Sequence, residues 1–126
     1  MSKVLASLRY SAEHEWVDAS TPTKVGITQV AADALGDVVY VDLPEVGDAI
    51  TAGETCGEVE STKSVSDLYA PVTGTILEIN QEAIDNPAIL NEDPYGAGWL
   101  FTVEVTAEGP LLSAADYASA NGGDVA

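Results

Sequence analysis

The chain has 126 residues, enough for one domain with one hydrophobic core, and no apolar run of about 18 residues that would span a bilayer as a helix. Its 21 acidic and 4 basic side chains give a formal charge of −17, which repels nucleic acid and anionic lipid and leaves basic protein surfaces as the favoured partners. Cys56 is the only cysteine, so no internal disulfide forms, and it reads as a buried, inert thiol in a strand. The acidity serves solubility or a salty cytoplasm equally well, and composition does not separate these uses from steering. The start, Met1-Ser2-Lys3-Val4-Leu5-Ala6-Ser7, lacks a signal peptide's long apolar stretch. A cytoplasmic location is therefore expected, or a mitochondrial matrix if a transit segment was removed.

In chain order, Val4 to Tyr10 reads as an edge strand and Glu15-Trp16-Val17-Asp18 as a second short one. Pro22 and its hydroxyl neighbours make a turn, from which Lys24 to Thr28 leads out as a strand. Thr28 is placed to N-cap a short helix over 29–35, which Gly36 ends. Asp37-Val38-Val39-Tyr40-Val41-Asp42-Leu43, β-branched and stopped by Pro44, predicts a strand in the core. Turns follow at 45–48 and 51–54, with strands over 49–50 and 55–60. After Lys63 the chain returns through 65–69 to a break at Ala70-Pro71, and Val72-Thr73-Gly74 turns into a strand over 75–80. Residues 81–97 predict a helical turn near 82–85 followed by an ordered loop. Apolar residues at 99, 101, 103 and 105 alternate as in a strand with one buried face. A final helix is expected near 110–120, with Pro110 in its first turn and Asn121-Gly122-Gly123 leading to a frayed tail. Many short strands with helices at only three places predict two packed antiparallel sheets or a flattened barrel, as a single domain over 1–126 with its core at about 4–106.

The cations are Lys3, Arg9, Lys24 and Lys63, so one lysine serves everything after residue 24. A Schiff-base lysine needs a neutral amine, obtained by desolvation or a neighbouring cation. Here Glu58, Glu60 and Asp67 favour the protonated form, and Ser61, Thr62, Ser64 and Ser66 make a polar setting. Lys63 is therefore read as an acceptor of modification at the tip of a two-residue connection, rather than as a nucleophile. Acylation would take the formal charge from −17 to −18. His14 is the only histidine and has no partner at metal-ligand or triad spacing, so a packed, hydrogen-bonded role is expected and no metal site. Trp16, Trp99 and Phe101 read as core, and Gly47, Gly53 and Gly57 as turn residues rather than a phosphate loop.

The run Glu60-Ser61-Thr62-Lys63-Ser64-Val65-Ser66-Asp67-Leu68-Tyr69-Ala70-Pro71 resembles the lipoylation segment of the H protein of the glycine cleavage system. Further similarity lies, in the family's order, at His14-Glu15-Trp16-Val17, Val25 to Thr28, Leu35 to Val39, Leu43 to Gly47, Asn91 to Gly96 and Gly98-Trp99-Leu100. Biotin carriers have methionine on both sides of the lysine, where Thr62 and Ser64 stand here. Lipoyl domains of 2-oxoacid dehydrogenases lack the His14-Glu15-Trp16 and Asn91-to-Gly96 segments. Thr62 and Ser64 also depart from the valine and alanine usual in H proteins.

The resemblance implies a mainly β, lipoyl/biotinyl-carrier-like fold, a flattened barrel-sandwich hybrid of two antiparallel sheets. It implies lipoate in amide linkage on Lys63, an attachment motif of Glu60, Ser61, Thr62, Ser64 and Asp67, and no catalytic residue. The expected partners are a pyridoxal-phosphate glycine decarboxylase, a tetrahydrofolate-dependent aminomethyltransferase, dihydrolipoamide dehydrogenase, and a lipoate ligase or lipoyl transferase. A carboxylate holding the loaded arm's cationic amine in a water-excluding cleft would protect it, and the resemblance makes Glu15 and Asp67 the candidates. The competing reading is an H-like donor for lipoate relay, or an acidic interaction module, without glycine cleavage activity.

Overall fold

A computed structural model describes residues 3–125. Met1, Ser2 and Ala126, which belong to the domain expected over 1–126, lie outside the described residues. Six strands form one antiparallel sheet in the order β2 (Arg9–Tyr10), β3 (Glu15–Val17), β4 (Thr23–Ile27), β10 (Phe101–Glu108), β9 (Val72–Ile79) and β6 (Ala49–Ile50). A second antiparallel sheet has the order β5 (Val38–Asp42), β7 (Thr55–Ser61) and β8 (Val65–Tyr69). The main core draws Val25, Ile76, Phe101 and Val103 from the first sheet and Val41, Val59 and Leu68 from the second. The two sheets pack as a sandwich and do not join into a closed barrel.

Several boundaries differ from expectation, each for a physical reason. Val4 and Tyr10 fall in separate strands: β1 (Lys3–Val4) pairs in parallel with β11 (Asp124–Val125), while β2 belongs to the large sheet. The C-terminal segment is thus paired where a frayed tail was expected. Strand β5, expected in the core, is an edge strand that buries Val38 and Val41 and exposes Val39 and Tyr40. Gly74 does not turn the chain but lies within β9. A Cβ there would come within 2.1 Å of Glu104 O, so only glycine lets β10 approach this closely.

The helix over 29–35 is found as α1 (Gln29–Leu35), its N-cap Thr28 accepting the Ala31 N–H. The turn near 82–85 is α2 (Gln81–Asp85), and the expected loop after it contains a further helix, α3 (Ile89–Glu92). The last helix, α4 (Ala114–Asn121), starts four residues later than Pro110 because Ser113 caps it, its Oγ accepting the Asp116 N–H. Before the cap, Leu112 exchanges backbone hydrogen bonds with Tyr10 at 2.9 and 2.6 Å. This contact seats α4 over a second core of Val4, Leu8, Tyr10, Trp16, Tyr117 and Ala118.

Candidate functional site

Strands β7 and β8 pair with Glu60 opposite Val65 and Glu58 opposite Asp67. The Ser61 N–H donates to Ser64 O at 2.8 Å, extending this register by one step and leaving Thr62 and Lys63 as the two turn residues. Ser61 Oγ accepts the backbone N–H of Ser64 at 3.1 Å and of Lys63 at 3.3 Å, so this side chain holds the turn. The Thr62 N–H donates to Asp37 O at 3.0 Å, fastening the tip to the corner between α1 and β5. Asn91 of α3 locks that corner: its Oδ1 accepts the Val38 N–H at 2.9 Å and its Nδ2 donates to Gly36 O at 2.7 Å.

Lys63 is exposed. Its stem lies beside Gly36, whose added Cβ would stand 3.5 Å from Lys63 Cε, and whose φ of +78° favours glycine. On the outer face of the small sheet, Tyr40, Glu60 and Val65 form one cross-strand row, and Asp42, Glu58 and Asp67 form the next. Glu60 is half-buried in its row, with Tyr40 and Val65 exposed on either side.

A cleft of about 120 Å³ opens beside this hairpin, lined by Ala31 and Leu35 of α1, Val59 and Leu68 of the small sheet, and His14, Glu15 and Asp67. Leu35 precedes Gly36, so the lysine stem rests next to the cleft wall. The structure thus brings Glu15 and Asp67 to one cleft, in different states. Asp67 is exposed. Glu15 is buried: Ser11 Oγ–H donates to one carboxylate oxygen at 2.6 Å and the Tyr69 N–H to the other at 3.3 Å. Burial pushes its carboxyl up to about 8, against the lowering effect of those donors.

His14 occupies the third position of the loop Ala12-Glu13-His14 between β2 and β3, closed by Ser11 N–H donating to Glu15 O at 2.9 Å. Its φ is +76°, the left-handed position that such three-residue hairpin loops usually give to glycine. The ring is packed and hydrogen-bonded, as expected, with Nδ1 2.6 Å from Tyr117 Oη, and desolvation lowers its pKa. Cys56 is half-buried in β7, and burial pushes its thiol up to about 12. Trp16 and Phe101 are buried; Trp99 is only half-buried, with the Lys24 ammonium 5.7 Å from its ring centre. A larger groove of about 290 Å³ lies between Pro22, Leu77 and Val105, and none of Lys63, Glu15 or Asp67 borders it.

Sequence reasoning missed Ser11 and Tyr117, and marked Asn91 only as part of a family segment, with no role. Ser11 had a local signal, a hydroxyl four residues before Glu15 across a three-residue loop. Asn91 and Tyr117 act on residues 53 and 103 positions away, and nothing in one sequence marks such pairs.

The sequence profile described as Glycine cleavage H-protein matches residues 8–121. A glycine cleavage system H protein from Beutenbergia cavernae is 61% identical over 117 residues, covering 91% of this chain and 94% of that protein. One from Corynebacterium aurimucosum is 53% identical, covering 98% of this chain and 100% of its own length. The crystal structure of a glycine cleavage system H protein from Mycobacterium marinum superposes with a TM-score of 0.89 at 56% identity, covering 93% of this chain and 98% of that one. With fold and sequence in agreement over nearly the whole length, the chain belongs to the glycine cleavage H-protein family, the non-catalytic lipoyl carriers of the glycine cleavage system.

Proposed function

We propose that Lys63 is the lysine that carries the family's lipoate, in amide linkage, and that the cleft bordered by Glu15 and Asp67 receives the loaded arm. One observation carries this reading: an exposed lysine on a rigid two-residue tip, with its stem lying along Gly36 next to Leu35 of the cleft wall. The residues suit the group. The amine is open to acylation, and the cleft offers apolar surface to an alkyl chain together with two carboxyl groups for a cationic amine. Bound lipoate supplies the sulfur that takes up the aminomethyl group of glycine. The chain's own residues hold, orient and shield that load.

The fold acts as a single domain, 1–126. Its partners beyond the system as a whole are the pyridoxal-phosphate glycine decarboxylase, the tetrahydrofolate-dependent aminomethyltransferase and dihydrolipoamide dehydrogenase, with a lipoate ligase or lipoyl transferase for Lys63. Glu60, Ser61, Thr62, Ser64 and Asp67 form the surface that the modifying enzyme reads. The setting is cytoplasmic; among the described residues no helix is long and apolar enough to cross a membrane. Intact mass tests the assignment. Incubation with lipoate and an active ligase adds one lipoyl group to the wild type and none to Lys63→Arg, and a lipoylated Lys63→Arg would refute it.

A further inference from the structure

The hydrogen-bond chain behind His14 has one direction that satisfies every buried group. Thr28 Oγ1 is fully buried and already accepts the Ala31 N–H at 3.1 Å as the cap of α1. Its other neighbour is Tyr117 Oη at 2.8 Å. The Thr28 proton therefore goes to Tyr117 Oη, because no other acceptor stands near it among the described residues. The Tyr117 proton in turn points to His14 Nδ1, 2.6 Å away. With Nδ1 accepting, the ring proton sits on Nε2. The opposite direction, or an imidazolium with protons on both nitrogens, would strand one buried hydroxyl proton, that of Thr28 or of Tyr117, without an acceptor.

The surroundings act on the ring in both directions. Glu13, beside His14 in its loop, favours an imidazolium, and Glu15 and Asp67 border the same cleft. Against Glu13 stand desolvation, which prevails, and the Thr28–Tyr117 chain. Tyr117 is itself fixed: its ring is fully buried, stacks on Tyr10 at 4.6 Å between centroids, and meets His14 edge-on at 5.7 Å. The left-handed turn and the Thr28 N–H donating to His14 O at 3.0 Å hold the histidine from the backbone side.

We infer that Tyr117 is a positioning residue for the arm-docking cleft: backed by Thr28, it holds His14 as the neutral Nε2–H tautomer, so the wall offers a hydrogen-bond donor and no cation. A load bearing a cationic amine then meets carboxyl groups and a neutral imidazole. This consequence rests on the cleft being where the loaded arm rests; the tautomer does not.

Because His14 is the only histidine, a ¹⁵N-histidine-labelled chain gives a one-residue ring spectrum. Long-range ¹H–¹⁵N correlation on the full, unmodified protein at neutral pH is expected to show the Nε2–H tautomer. In Tyr117→Phe, which keeps the stack on Tyr10, mixed tautomers appear and the titration midpoint rises by about one pH unit, a tenfold gain in proton affinity. On the lipoylated, aminomethyl-loaded protein, Tyr117→Phe shortens the lifetime of the load several-fold below the raised midpoint. An Nδ1–H tautomer in the wild type overturns the inference without any variant. An unmoved midpoint in folded Tyr117→Phe, or an unchanged load lifetime, also overturns it. A chain that never accepts lipoate on Lys63 would instead refute the carrier site, and the tautomer would still be read.

Discussion

Glu15 keeps its proton where an ordinary carboxyl would lose it, and the cause is position. It sits under the loop that carries His14, reached by one hydroxyl and one N–H, and loses most of its water. The linkage follows from the raised value of about 8. Below about pH 4.5 the group is protonated in both folded and unfolded chains; above that the unfolded chain gives up a proton that the folded chain retains. Its contribution is therefore complete in acid and lost as pH rises through about 8. We expect the melting temperature of the unmodified protein to fall between about pH 5 and about pH 9 by several degrees more than that of Glu15→Gln. Parallel curves for the two proteins would show that Glu15 titrates normally. The sequence pointed to Glu15 through its family segment alone. Its burial depends on Tyr69, 54 residues away, and on a loop conformation that His14 does not advertise.

Helix α3 shows where sequence patterns stop. Asn86, Pro87, Asn91 and Pro94 all favour turns, and a four-residue helix is too short for a periodic signal to outweigh them. Its use is nonetheless specific, since Asn91 satisfies both Val38 N–H and Gly36 O at the corner that bears the hairpin tip. Asn91→Ala strands both groups, and should lower unfolding stability by about 1–3 kcal/mol in a denaturant titration and slow ligase-catalysed acylation of Lys63. Wild-type stability in that variant would mean the corner is held by other contacts. The β7–β8 hairpin was legible for the opposite reason: register, turn residues and Lys63 lie within fifteen consecutive residues, so local chemistry determines them. Strand β5 misled because its β-branched run would also suit an interior strand, and only the sheet order reveals it as an edge.

At the scale of the whole molecule, acidic charge far outweighs basic charge. Among the described residues the one ion pair is Arg9–Glu108, exposed on both sides, against 21 acidic side chains in the sequence. Net repulsion then opposes the compact state. Raising sodium chloride from about 10 mM to about 100 mM shortens the screening length from about 30 Å to about 10 Å, and should raise the melting temperature by a few degrees. A flat or falling response would mean that the carboxylates are spaced too widely to repel. The sandwich also separates two positions: the small sheet bears Lys63, while the large sheet supplies Glu15 from β3 and His14 from the loop before it. Between them stands the tip fastened by Thr62 N–H to Asp37 O, a fixed pivot rather than a moving finger. An arm on a fixed pivot has a single circle of reach, and any enzyme that uses it must occupy that same space. With Lys63 as the attachment site proposed above, enzymes drawing on the arm would have to take turns in that space.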